Sequence, residues 1–423
     1  MEDTGLMVSD HEYFWQVTAW NADSTKVLVS EPVKFRTALM GRTDWKAVWV
    51  TDSHDKDFEA APMFRKEFDA GQDVVSARVY MSACAYAEVR LNGEPVSDAF
   101  LDPGYTHYDK RNLYTVTDVT GKVRSGENVI TAVLGNGFYN EIKPVATWNF
   151  ENARWRGRAR FILELHVTHA DGTTSVIAAD GPYISNNIYS GDTYDARKEI
   201  AGWYETGFDD SSWSTAREVP DPSPLLVAQK MPQIRPTEEI EPVAVRSFGD
   251  TSYIFDFGKN ISGVCRLRVS GEAGTEVSVI HAELVKEDGS LEPGNINIYY
   301  KPLPGYEFQT DKYILKGSGT EEWTPSFTYH GFRYAEVKTS VPMKLDKESL
   351  HALYFYTDQE SAGTFECSNK LLDTLWNMTR RTYCNNFMSI PTDCPQREKN
   401  GWTADAYLSQ EIGLLNYDSI RFH

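Results

Sequence analysis

CSNKLLDTLWNMTRRTYCNNFMSIPTDCPQREKNGWTADAYLSQEIGLLNY, residues 367–417, is where the hydrophobic period of this chain changes. Leu371, Leu375, Met378 and Thr382 recur at helical spacing, and Ser368 stands where an N-cap belongs. Ala404, Leu408, Ile412 and Leu415 form a second such stripe. MSIPTDCPQREKNG between them holds too much Pro and Gly to be helical throughout. The spacing predicts two helices joined by a loop, and a loop between helix ends displays side chains.

Upstream, the period is two. Tyr13, Trp15 and Val17 alternate with polar residues, but only about three strands fit before residue 45, too few for an independent sandwich. From about 60 to 245 the strand signal is dense. Ala87, Val89 and Leu91 alternate and Asn92-Gly93 follows as a hairpin turn; Phe161, Leu163, Leu165 and Val167 alternate and Asp171-Gly172 follows. PDPSPLL, with three prolines in residues 220–224, reads as a connection. A second β region covers about 245–357, with Cys265, Leu267 and Val269 alternating, as do Val277 and Val279. Strands and then helices in separate blocks predict separate domains.

The chain has 423 residues, enough for two to four domains, and a formal charge of −19 from 42 basic and 61 acidic residues. That balance argues against a nucleic-acid partner and against docking on an anionic membrane. No apolar run approaches the roughly 18 residues that span a bilayer. MEDTGLMVSDHEYFW lacks the basic and apolar regions of a signal peptide, which leaves the compartment open. Cys84, Cys265, Cys367, Cys384 and Cys394 have no metal or disulfide spacing and read as buried free thiols. The 11 Trp and 23 Tyr suit either sugar stacking or an aromatic-rich β protein.

The chemistry concentrates in TDCPQREKNGWTADA, residues 392–406, which holds Asp393, Arg397, Glu398, Trp402 and Asp405. Glycoside hydrolysis needs one carboxylic acid to protonate the leaving oxygen and a second carboxylate to attack or to activate water. Trp402 can wall a sugar site, and Arg397 offers a fork of donors. Pro395 restrains the backbone, and Gly401 is expected to adopt a conformation that other residues resist. The competing reading makes Asp393 a cap and Arg397 and Glu398 a solvated surface. His281, Glu283 and His330 are candidate metal ligands, but His and Glu on separate strands are more often ordinary hydrogen-bonded residues, and no metal is expected.

TDCPQREKNGWTADA resembles the signature of glycoside hydrolase family 78, the bacterial α-L-rhamnosidases. FDFGKNISGVCRLRV (Phe255–Val269), HAELVKEDGSL (His281–Leu291) and FTYHGFRYAEV (Phe327–Val337) resemble that family's β domain before the barrel. Leu91–Thr120, LGNGFYNE, DTYDAR and GFDDSSW resemble its N-terminal jelly roll, and FWQVTAWN with VKFRTAL the end of a fibronectin-type-III-like module.

The resemblance implies a mainly β, multidomain chain. Residues 1–44 would be the C-terminal part of a fibronectin-III-like sandwich and 45–245 a jelly roll. Residues 246–357 would be a β-sandwich, and 358–423 the start of an (α/α)6 barrel. It implies Glu398 as general acid, with Asp393, Arg397, Trp402 and Asp405 contacting rhamnose. Glu398 follows Arg397 directly, where some members carry an intervening residue; the Glu-to-Trp spacing of four is kept. The family inverts configuration and takes its general base from a Glu far downstream in the barrel. Neither Glu411 nor Asp418 fits that role, so this chain alone is expected to be inactive.

No organic cofactor is implied. Some relatives bind rhamnose through calcium in a domain like the jelly roll, but no calcium ligands can be assigned here, and the alternative is a supporting module. The partner implied is a rhamnose-containing oligosaccharide, polysaccharide or glycoside; oligomeric state is left open. The rivals are a non-catalytic carbohydrate-binding protein and another (α/α)6-barrel glycosidase.

Overall fold

The computed structural model describes residues 7–146, 148–167, 177–180, 183–301, 303–304 and 307–420. The turn expected at Asp171-Gly172 lies outside the described residues.

Two six-stranded sheets form a sandwich. In spatial order one runs Arg217–Val219, Trp49–Thr51, Arg160–Val167, Ala77–Cys84, Asn112–Asp118, Leu226–Ala228; the other runs Ser214–Thr215, Ile177–Asp180, Pro62–Asp69, Glu127–Gly135, Tyr86–Leu91, Glu94–Pro95. Val89 and Leu91 alternate inward as expected and meet Phe64, Val79, Met81, Leu134 and Phe161 in one core. Asn92 at φ 54° and Gly93 at φ 84° turn the chain so that Leu91 pairs with Glu94. Positive φ at both central residues suits the twist of a tight hairpin.

A ten-stranded sheet follows, its axis the 19-residue strand Ser252–Ser270. Cys265, Leu267 and Val269 alternate into a second core with Val277, Val279, Phe332 and Val337. This sheet also recruits strands from residues 45–245. Gly191–Asp195 pairs in parallel with Thr310–Ile314, and Ile234–Ile240 pairs antiparallel with Leu350–Thr357. A Cβ on Gly191 would lie 2.3 Å from the Thr310 carbonyl oxygen, so glycine permits that approach. Tyr183–Asn187 pairs with Gly191–Asp195 at the same edge. The sandwich and the ten-stranded sheet are thereby sewn together, not joined by a linker.

At the start, Glu12–Trp15 pairs with Val33–Arg36 and Thr18–Trp20 with Val27–Val29. Phe14, Trp20 and Leu28 on these strands are exposed. At the other end stand the two expected helices, Lys370–Asn385 and Thr403–Asn416. The first is capped by Asn369 and not by Ser368: the Asn369 side chain accepts from the Leu371 amide at 3.1 Å. Asn and Ser cap comparably, so backbone position decides. Leu371, Leu375, Met378, Leu408 and Leu415 are exposed on these helices. Four of the five cysteines are buried free thiols; Cys367 is half-buried. Among the described residues no helix is long and apolar enough to cross a membrane.

Candidate active site

The loop between the helices opens with a tight hairpin, Phe387–Met388 against Ile390–Pro391. Ser389 at its tip, φ 62°, donates its amide to Thr357 Oγ1 at 2.7 Å and accepts the Tyr105 amide on its hydroxyl at 2.9 Å. One serine therefore ties the loop to both β domains.

Asp393 closes the next turn. Its amide donates to the Asn400 carbonyl at 3.0 Å, and its Oδ1 accepts the Asn400 amide at 3.0 Å. The Cys394 thiol donates to Oδ2 at 3.0 Å. Asp393 thus shapes the loop with the carboxylate that was expected to contact sugar, and free lone pairs remain on both oxygens. Within the turn the Glu398 amide donates to Cys394 Sγ at 3.2 Å. The left-handed residue is Lys399, φ 52°; Gly401 has no positive φ, contrary to expectation. Glycine serves there for space, since a Cβ would meet Ile390 Cδ1 at 3.0 Å.

Two of the five expected residues are in direct contact. Glu398 and Trp402 meet: the indole Nε1 donates to Glu398 Oε2 at 2.8 Å. Trp402 is the N-cap of Thr403–Asn416, so Asp405 follows in the first turn, exposed. Arg397 stacks on the Tyr299 ring at 5.3 Å, with its Nε unpaired among the described residues. Glu411 is exposed on the second helix, and Asp418 is tied through its backbone to Glu360.

Residues outside the signature complete the site. Trp148, from the β sandwich, packs edge-on against Trp402 with ring centroids 5.7 Å apart. Tyr189 donates its hydroxyl to the Glu398 carbonyl at 3.0 Å. Gln396 donates to Glu283 at 3.1 Å, and Glu283 also takes Asn260 and Asn295. Lys399, 1% exposed, is held by the carbonyls of Ile188 and Tyr329. Trp148, Tyr189 and Ile188 lie more than 200 positions upstream of the loop residues they contact, where no spacing argument reaches. Lys399 stood inside the motif, but a lysine reads as surface until burial is known.

Behind the loop lies a buried polar cluster. His281 and His330 come together as ring neighbours, 4.2 Å between centroids, but their acidic partner is Asp311 and not Glu283. His330 Nε2 bonds Asp311 Oδ2 at 3.0 Å, and His281 Nδ1 bonds the Gln309 carbonyl at 3.1 Å. Ligand atoms of the three lie within 4.8 Å of one another, a spacing a cation could use. Burial first, and the positive charge of Lys399 with it, hold both histidines toward the neutral form that ligates metals, so what acts against a cation there is repulsion by Lys399 itself. Burial, then His330, takes His281 down to about 3. Burial raises Asp311 to about 6. Burial and the Asp311 charge raise Asp192 to about 8, and burial raises Glu141 to about 8.

β domains backing a helical unit with a carboxylate on its connecting loop define the class of this molecule. Three family models match in chain order: the α-L-rhamnosidase N-terminal domain over 72–238, the bacterial α-L-rhamnosidase concanavalin-like domain over 246–356, and the six-hairpin glycosidase domain over 360–423. The chain belongs to the bacterial α-L-rhamnosidases, as its motifs implied. It is 36% identical to an α-L-rhamnosidase of Formosa agariphila, over 97% of this chain and 46% of that protein. A Streptomyces avermitilis α-L-rhamnosidase is 36% identical over 86% of this chain and 35% of its own length.

Among solved structures, the α-L-rhamnosidase of Dictyoglumus thermophilum superposes with a TM-score of 0.86 at 35% identity, over 98% of this chain and 47% of that one. A Streptomyces avermitilis α-L-rhamnosidase in complex with L-rhamnose gives 0.87 at 25% identity, over 98% and 56%. The chain spans about half the length of these relatives or less.

Proposed function

We propose that this chain is the substrate-protonating part of an inverting α-L-rhamnosidase that releases terminal, non-reducing α-L-rhamnose from glycans or glycosides. Glu398 protonates the glycosidic oxygen. Asp393, Arg397, Trp402 and Asp405 surround the rhamnosyl unit, Asp393 through lone pairs its loop bonds leave free. Water attacks from the opposite face of the sugar, activated by a second carboxylate about 6.5–9.5 Å from the first. We place that base in the part of the six-hairpin domain that lies outside residues 360–423.

In this reading residues 1–44, 45–245 and 246–357 are β domains in support of a barrel that starts at 358. One observation carries the proposal: Glu398 lies between a side-chain donor, Trp402 Nε1, and a fixed backbone held by Tyr189. The full-length protein is expected to release p-nitrophenol from p-nitrophenyl α-L-rhamnoside, with β-L-rhamnose as the first anomer seen by NMR. Glu398→Gln is expected to remove most activity on methyl α-L-rhamnoside, whose leaving group needs the proton. A wild-type rate in that variant refutes the assignment.

A further inference from the structure

Lys399 follows Glu398 directly, yet its side chain runs the other way, into the junction between the β domains. Its ammonium donates to the Ile188 carbonyl, beside the strand pair that sews the sandwich to the ten-stranded sheet. It also donates to the Tyr329 carbonyl, next to the strand His330–Thr339. It sits over the Tyr329 ring at 4.2 Å and the Tyr189 ring at 5.6 Å. No ion pair holds it among the described residues; Asp311, Cys394 and Glu141 act on it from further off.

A cation buried without a carboxylate in contact is expensive, so packing alone does not account for it. Burial pushes the group down to about 7. A methionine would fill the same space at less cost but could not bond two carbonyls from separate parts of the chain. The same junction supplies Tyr189, whose hydroxyl holds the Glu398 carbonyl at 3.0 Å. Both anchors fix the backbone of the acid and leave its carboxylate to Trp402.

We infer that Lys399 is a positioning residue: its bonds to the Ile188 and Tyr329 carbonyls hold the Glu398 backbone where the carboxyl meets the glycosidic oxygen. This rests on the proposal that Glu398 is the proton donor. Proton donation matters more as the leaving group becomes more basic. A displaced acid therefore slows an alkyl rhamnoside more than an aryl one, whereas a generally weakened fold slows both alike.

The test compares full-length wild type, Lys399→Met and Lys399→Arg on methyl and p-nitrophenyl α-L-rhamnoside, with melting temperatures beside the kinetics. Misplacement by about 1 Å costs on the order of 10²-fold. Lys399→Met is expected to lose about that in kcat on the methyl glycoside and less than about tenfold on the aryl one. Lys399→Arg, whose fork can reach both carbonyls, is expected to recover most of the loss. Equal losses on both substrates, no loss, or an Arg variant no better than Met overturn the inference. An inactive wild type overturns the rhamnosidase reading and the inference with it; an active wild type with an unaffected Lys399→Met overturns the inference alone.

Discussion

Trp402 Nε1 donates to Glu398 Oε2 at 2.8 Å, and Trp402 is also the N-cap of the helix Thr403–Asn416. The start of a helix thus fixes the direction of a carboxylate four positions earlier. Trp402→Phe keeps a ring and removes the donor. One hydrogen bond to an acid that must carry its proton to act is worth about 0.5–1.5 kcal/mol net, and the upper end corresponds to about tenfold in rate. We expect kcat of the full-length protein on methyl α-L-rhamnoside to fall about tenfold. An unchanged kcat would show that the bond does not orient the acid.

Gly331 sits where the loop presses on the ten-stranded sheet. A Cβ there would lie 2.7 Å from Pro395 Cγ, 2.8 Å from Gln396 Cβ and 2.9 Å from the Gln396 amide nitrogen. Backbone cannot swing aside as a side-chain tip can. Gly331→Ala is expected to destabilise the docked loop by about 1–3 kcal/mol. Urea unfolding of the variant, followed by Trp fluorescence, measures this; a midpoint equal to wild type would mean that the loop yields freely.

Asp192 gives a pH signature. Its Oδ2 accepts the Ser326 and Phe327 amides at 2.9 Å, while its buried Oδ1 is unpaired among the described residues. Its pKa rises from 3.8 to about 8, through burial first and the Asp311 charge second. Between those values the folded state binds more protons than the unfolded one, so this group's contribution to stability falls as pH rises. Asp192→Asn removes that slope. The difference in unfolding free energy, variant minus wild type, should grow from pH 4 to pH 8 by about one proton's worth of slope. His281, lowered by burial to about 3, acts in the opposite sense below pH 6.5, which is why the difference is the quantity to read. A flat difference would contradict the burial argument.

Leu371, Leu375, Met378, Leu408 and Leu415 leave a large apolar area on the helices exposed. Areas of this kind drive association. The 423-residue chain is expected to self-associate as its concentration rises in light scattering. Leu371→Gln with Leu408→Gln should move it toward monomer; a wild-type chain that stays monomeric throughout would count against the prediction.

Much of this was legible along the chain, for physical reasons. Alternation at Val89 and Leu91, the Asn92-Gly93 turn and the stripes of the two helices are local periodicities, and each lies where its spacing placed it. The motif around Glu398 was legible because loop and helix start are contiguous, so Glu398 and Trp402 are close in space as in sequence. Local patterns could not give cap choice between Ser368 and Asn369, or which of Lys399 and Gly401 takes the left-handed conformation.

Tertiary structure alone decided what stands behind the loop. Ile188 and Tyr329 meet at one ammonium from 141 positions apart. Asp311 displaces Glu283 as partner of the two histidines, and Gly191–Asp195 joins a sheet begun much later in the chain. Contacts of that kind depend on how sheets pack and on which polar groups are shut away from water. The sequence by itself specified a loop carrying Glu398 next to a helix that starts at Trp402; the packing of two β domains against Tyr189 and Lys399 decided where that loop is held, because those contacts join residues far apart in the chain.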